Sequence, residues 1–324
     1  MAGFVARRIY QAAIVMFAVA TLTFFLIHLA PGDPFTPLAE SSTISPETIQ
    51  QLRRNFGLDE PIHVQYLKYL QRLVQGDLGI SFKHHRPVLD VFRDVIPNTI
   101  LLAVAAVFID FSLGIATGIY QGTRSRGRAD TLLSGLSLAF YATPVFWLGI
   151  MLILTFGVTL RWLPIAGATD PVIHDSLSGI GRLWDRLQHL IMPALTLGLV
   201  GAGGTARFQR SALIETLSED YIRTARAKGL RERSVVLVHA LRNSLLSVIT
   251  LFGLSLPLLL SGAVLVETVF SWPGMGRLIT DSVSGRDYPI VTAAAILSAA
   301  MVVAGSLAAD VLYQVVDPRT RDST

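Results

Sequence analysis

Cysteine is absent from the 324 residues, which excludes a disulfide framework and any thiolate metal site. Charge is scarce: Asp, Glu, Lys and Arg make up 15% of the chain, against about 25% in an ordinary soluble domain. No G-x-x-x-x-G-K-[ST] phosphate loop occurs, so the chain cannot hydrolyse ATP by a Walker-type mechanism. No G-x-S-x-G nucleophile elbow and no H-E-x-x-H zinc motif occur either, which leaves a membrane enzyme poorly supported. The adjacent pair His84-His85 lacks further ligands nearby in sequence, so no metal site is assigned. The basic residues sit beside apolar runs, giving no nucleic-acid footprint.

What the chain has in quantity is apolar sequence. Hydrophobic residues make up 52% of it and the mean hydropathy is +0.53, the composition of a membrane protein. Ile9 to Leu29 is long enough to cross a hydrocarbon core of about 30 Å at about 1.5 Å per residue. It follows Arg7 and Arg8 and lacks a good cleavage site, so it reads as an uncleaved first span that PGDP (Pro31–Pro34) ends. Further spans are expected over 97–121, 132–160, 189–206, 244–266 and 290–311, with Pro144 inside the third and Pro257 as a kink in the fifth. The fold class is therefore an all-α polytopic membrane protein, a single transmembrane domain of six helices over residues 1–324.

Between the first two expected spans, residues 35–96 leave the bilayer. Ile49, Leu52 and Phe56 suggest one amphipathic helix stopped by Gly57. Pro61 opens a second, with Tyr66, Leu67, Leu70 and Val74 on one face and Gly76 as its stop, and Val88, Val91, Phe92 and Val95 suggest a third. These helices lie on the membrane surface, cap the outer mouth of a pathway or pack on the spans. Gly114, Gly118 and Gly122 recur every four residues, a spacing that permits close helix approach within this chain or to a partner chain. Charge sidedness supports six spans with both termini cytoplasmic. Arg124, Arg126, Arg128, Arg207, Arg210 and the arginines of 223–242 fall on the inner side, while the outer connectors carry balanced charge.

The longest charged interruption in the second half lies within a cytoplasmic segment, residues 207–243. Ser218 is a good N-cap, Glu219 and Asp220 occupy the first turn of a short helix, and Arg226 and Lys228 occupy its last. Gly229 stands where a left-handed residue ends the helix, and a second helical run from about Arg231 to Asn243 follows. Tyr221, Ile222 and Ala225 share a face, Arg223, Arg226 and Lys228 project elsewhere, and Thr224, Ala225, Ala227 and Gly229 are small enough for close approach. A basic loop that merely fixes topology is the plain reading; a capped docking helix is the sharper one. Asp110 within the second span and Asp310 near the inner end of the sixth must face protein or a watery cavity, as inter-helix hydrogen-bond partners or as members of a proton relay.

The segment DYIRTARAKGL followed by HALRNSL (Asp220–Leu230, His239–Leu245) resembles the cytoplasmic motif of permease subunits from binding-protein-dependent ABC importers, and more narrowly the dipeptide/oligopeptide family. The resemblance runs along nearly the whole chain. It includes ARR at Ala6–Arg8, PGDP, FGLDEP and VQYLKYL within Phe56–Leu70, QGDLG at Gln75–Gly79, TPVFWLG at Thr143–Gly149, PALTLGL at Pro193–Leu199, VETVFSWPGMG at Val266–Gly276, GRDYP at Gly285–Pro289 and DPR at Asp317–Arg319. Arg223-Thr224-Ala225 stand where the general importer pattern has E-A-A, and His239 and Leu241-Arg242 replace its I and L-P, departures that the peptide branch shares.

The resemblance implies a type I importer in a bacterial cytoplasmic (inner) membrane. Its partners would be a second homologous permease chain, two ATP-binding subunits, an extracytoplasmic substrate-binding protein and membrane lipid. ATP and Mg would be bound by the ATPase subunits, with no cofactor on this chain. Residues Glu219 to Gly229 would form the coupling helix that docks on an ATPase. A proton-coupled secondary carrier using Asp110 is the alternative reading.

Overall fold

A computed structural model describes residues 2–29, 46–55, 57–260 and 263–316. The PGDP and DPR motifs, Phe56 and residues 261–262 of the fifth expected span lie outside the described residues, as do the side chains of Ile49, Leu52, Pro257 and Asp310. The described chain is helical, with a lone antiparallel bridge between Ile80 and Pro87. It forms two compact units, Met1–Pro97 with Arg277–Ala300, and Asn98–Gly276 with Met301–Thr324.

In the first unit, α1 (Ala2–Leu29) exposes Tyr10, Ile14, Phe17, Leu22 and Leu26, apolar side chains suited to lipid. Further along the face of Tyr10, Ile14 and Phe17, its C-terminal half meets α3 (Ile62–Val74): Thr21 Oγ1 lies 2.8 Å from the Tyr66 hydroxyl, and Phe24 stacks on Tyr69. α2 spans Pro46–Asn55. Pro61 opens α3 as its fixed φ favours, and Gly76 closes it at φ 76°. The inward face of α3 differs from the expected one. Tyr66, Tyr69 and Leu73 turn inward at helical spacing, while Leu67 and Val74 are exposed.

Loop 77–87 folds around the buried Asp287 of the GRDYP motif. The Asp287 carboxylate accepts hydrogen bonds from Ser81 Oγ at 2.5 Å and from the backbone N–H groups of Phe82 and Lys83 at 3.2 Å each. His84 and His85 occupy this turn, with His84 N–H donating to Ser81 Oγ and His85 at φ 53°.

The expected helix at Val88–Val95 and the second span are one helix, α4 (Val88–Thr123), which runs through Pro97 without a break. The third expected span is two helices, α5 (Arg128–Ala142) and α6 (Val145–Leu152), bent by 103° at Thr143-Pro144 and followed by a π-helical turn, Ile153–Thr159. Proline disfavours helical backbone at the residue before it, and Thr143 is extended accordingly (φ −76°, ψ 128°). The short fourth span expected over 189–206 lies within a continuous 40-residue helix, α7 (Gly179–Ser218), capped by Ser178 Oγ accepting from Gly181 N–H. α8 (Asp220–Ala227), α9 (Leu241–Leu260), α10 (Val264–Val269), α11 (Met275–Ser284) and α12 (Tyr288–Val316) follow.

The core of the second unit is built where α4 and α7 touch backbone to backbone. A Cβ on Gly118 would stand 2.6 Å from Gln209 Cβ and 2.8 Å from the Ala206 carbonyl. The four-residue glycine spacing therefore packs within this chain, where small residues permit dispersion contact without a hydrophobic driving force. Leu102, Leu190, Met192, Phe270 and Trp272 close an apolar cluster around the same helices.

By length and composition four described helices can cross a membrane, at Tyr10–Leu29, Val88–Thr123, Gly179–Ser218 and Tyr288–Ala308, or five if α5 with the α6 segment counts as one bent span.

Candidate coupling site

α7 ends where the charged segment begins. Ser218 terminates that helix, its Oγ donating to the Glu215 carbonyl at 2.6 Å, and it is not the N-cap of the next one. The cap position of α8 falls to Glu219, extended at φ −66° and ψ 149°, whose carbonyl accepts from Ile222 and Arg223 N–H. Two helix-end signals overlap within three residues here, and the stronger side-chain cap by composition is not the one used.

The C-terminal end follows the expected chemistry closely. Gly229 has φ 77°, its N–H donates to the Arg226 carbonyl at 2.9 Å, and Leu230 N–H donates to the Ala225 carbonyl at 3.4 Å. These are the paired bonds of a Schellman motif, which satisfy carbonyls the helix leaves open. No atom stands within 4 Å of where a Gly229 Cβ would be, so glycine is favoured by backbone conformation and not by crowding.

α8 has two faces. Ile222 and Ala225 are buried against Leu213, Val235 and Ala240, with Ile119 and Leu217 alongside. Burying an isoleucine side chain stabilises by roughly 1.5–3 kcal/mol, enough to hold a helix of eight residues that would not persist alone. Tyr221 departs from the expected shared face. It is exposed, and its hydroxyl accepts from Asn243 Nδ2 at 2.6 Å, tying α8 to the start of α9. The outward face carries Glu219, Asp220, Arg223, Thr224, Arg226, Ala227, Lys228 and Gly229, all exposed.

Those charges are organised locally. Arg223 pairs with Asp220 at 3.0 Å, and Arg226 holds Glu232 through two bonds of 2.7 and 3.1 Å across the Gly229 turn. The Arg226 guanidinium keeps the Glu232 carboxyl below its usual range, and its own pKa is raised in return. The run Arg231–Asn243 is a single turn at Glu232–Ser234, a π-helical stretch at Val235–Ala240 and then α9. Neither a nucleophile with its base nor a convergent set of metal ligands occurs in this segment. A rigid, charged, outward-facing helix is equipped for docking.

Of the intramembrane acids, Asp110 is buried, accepts from Thr205 Oγ1 at 2.7 Å and lies in the groove left by Gly201, a hydrogen bond between α4 and α7. Sequence reasoning missed the ties on either side of it. Asp130 receives both Nε and Nη2 of Arg210 at 2.8 Å. Glu267, fully buried, accepts from Thr99 Oγ1 at 2.9 Å, and Thr99 Oγ1 accepts in turn from Met275 N–H at 2.7 Å. The Trp272 indole donates to the Asn98 carbonyl, the Asn98 side chain donates to the Pro273 carbonyl, and Arg186 donates to Asn98 Oδ1. The available signal was an acid or proline-glycine turn inside an apolar run, without any indication of its distant partner.

The N-terminal model of the binding-protein-dependent transport system membrane component matches residues 1–103, and the model of the binding-protein-dependent transport system inner membrane component matches residues 114–322. The chain belongs to this family. The permease is 39% identical over 320 residues to the oligopeptide transport system permease protein AppB of Bacillus subtilis (strain 168), covering 98% of this chain and 99% of that one. It is 40% identical over 336 residues to the dipeptide transport system permease protein DppB of Escherichia coli (strain K12), covering 99% of each. Its identity to the glutathione transport system permease protein GsiC of the same strain is 37% over 321 residues, covering 99% of each. A subunit of the methionine ABC transporter MetNI, solved in inward-facing conformations, shares the fold at a TM-score of 0.57 and 16% identity, covering 71% of this chain and 97% of that chain.

Proposed function

We propose that this permease is one membrane half of an ATP-driven importer of di- or oligopeptides, with α8 as the helix that docks on an ATPase subunit. The observation that carries the docking role is the two-faced α8, seated on a buried apolar underside and presenting charged and small residues outward. Peptide as the cargo is supported by relatives named for dipeptide and oligopeptide transport that match end to end. In this reading the chain crosses the inner membrane six times with both termini cytoplasmic. It assembles with a second permease chain and two ATPases that bind ATP and Mg, and it receives substrate from an extracytoplasmic binding protein.

The test is to purify the tagged permease with its native partners and then exchange charge on the outward face, with Arg223→Glu and Lys228→Glu together. The expected result is a normally inserted permease whose recovery of ATPase subunits falls about tenfold or more. Undiminished recovery would overturn α8 as the docking element. Peptide uptake that ignores ATP but collapses with an uncoupler would favour a proton-coupled carrier using Asp110 instead.

A further inference from the structure

We propose that the Asp130–Arg210 ion pair is a positioning device that fixes the register of α5 on α7 and so passes displacement of α8 into the broken span α5–α6. The inference rests on the docking role of α8 and adds the next link toward the pathway. Asp130 sits in the first turn of α5 and is almost fully buried. Its carboxylate takes both arms of the Arg210 guanidinium at 2.8 Å, the Arg126 backbone N–H at 2.9 Å and Ser134 Oγ at 3.3 Å.

The pair belongs to a belt of polar contacts. Gln121 of α4 donates to Ser134 of α5 at 3.1 Å, and Gln209 of α7 donates to Ser244 of α9 at 2.9 Å. One turn further along α7, Leu213 is the buried seat of Ile222 and Ala225. The belt thus joins the helices that carry α8 to the helix that leads into the 103° break.

The ionic tie adds a directional bond to a contact otherwise made by close packing and one cation–ring contact. Gly203 of α7 lies directly against the Ser137 carbonyl and the Tyr141 backbone of α5, and the Tyr141 ring lies beside Gly204 with the Arg207 guanidinium 5.5 Å from its centroid. Dispersion contacts between helices are individually weak and non-directional, and a slip of one turn displaces them by about 5.4 Å. A two-pronged guanidinium–carboxylate pair is directional and cannot survive such a slip.

The experiment uses the whole complex reconstituted in liposomes with its ATPases, its binding protein and a labelled dipeptide. Asp130→Asn is expected to leave ATPase recovery within about twofold while ATP consumed per dipeptide moved rises about tenfold. The charge swap Asp130→Arg with Arg210→Asp is expected to restore the ratio in part, whereas Arg210→Lys, which keeps charge but loses the fork, should remain uncoupled. Uptake that falls only in step with the amount of assembled complex would overturn the proposal.

A second measurement is independent of ATP. The chain has no native cysteine, so spin labels at Leu132→Cys and Ser211→Cys report the α5–α7 distance without background. Both positions are exposed. The distribution should be narrow in the parent and broad or shifted with Asp130→Asn; identical distributions overturn the proposal. Should the parent transport without ATP, the α8 docking role fails, and the distance measurement still decides whether the pair sets register.

Discussion

The segments 219–232 and 263–276 are built from similar parts, a short helix, an acid and a glycine turn, and they use them oppositely. In the first, Glu219, Asp220 and Glu232 lie at the surface, paired with nearby arginines or open to solvent, and Gly229 is surrounded by empty space. In the second, Glu267 is sealed inside and takes its hydrogen bond from a threonine 168 positions away. Gly274 and Gly276 are required because any Cβ there would collide with its carboxylate or with the Val264 backbone. Exposed charge over an apolar seat leaves binding capacity for another molecule. A buried carboxyl group that takes its hydrogen bond from the chain's own threonine is spent on the chain's own architecture. The same residue types therefore predict docking in one place and rigidity in the other, and burial decides which.

The sharpest way to break that contrast is Glu267→Ala. It leaves the Thr99 hydroxyl without its acceptor in a sealed site and opens a void, at a cost of about 1–3 kcal/mol for the orphaned group alone. Thermal unfolding of the detergent-solubilised permease should move down by several degrees, with Glu267→Gln in between because its amide oxygen still accepts. An unchanged melting temperature would remove the distinction.

A smaller effect is expected from Gly229→Val. No neighbour is struck, so the loss is limited to placing a branched residue at positive φ, about 1–2 kcal/mol. Amide exchange in residues 226–231 should accelerate while the global melting temperature holds. Global unfolding at lower temperature would mean that the turn belongs to the core after all.

The smallest effect concerns pH. Glu232 has its carboxyl pKa depressed by Arg226, so the stabilisation it gives the turn is present above the unfolded carboxylate range and fades as pH falls through the depressed value. Between pH 7 and 5 the protection of Leu230 N–H should stay flat, and it should drop below the usual Glu range near pH 4.5. Glu232→Gln should abolish that acid dependence; persistence of it would assign the transition to another group.

These contrasts also explain what the sequence made legible. The α8 turn could be read in advance because its determinants are local: an acid in the first turn, bases in the last and a glycine at the C′ position. Ser218 was assigned to the wrong helix because α7 ends one residue before α8 is capped, and both ends favour the same residue types. The 103° bend at Thr143-Pro144 was signalled as a proline within a span, but its angle depends on packing that no window contains. The full reach of α7 was hidden because residues 179–188 are polar on one side and resemble a connector. Glu267, Asp287 and Asp130 were unreadable as structural anchors for another reason. Their partners lie far along the chain, and pairing at that separation leaves no periodic trace.

The length of α7 carries a consequence of its own. Forty residues at about 1.5 Å each make a rod of about 60 Å, twice the thickness of the hydrocarbon layer it crosses. With one end held near the Asn98–Trp272 contacts through Arg186 and the other ending beside α8, a tilt of about five degrees sweeps the free end through about 5 Å. Points along the helix would move in proportion to their distance from the Arg186 end, so a shift of one helical turn beside α8 fades toward nothing at the Asn98 contacts.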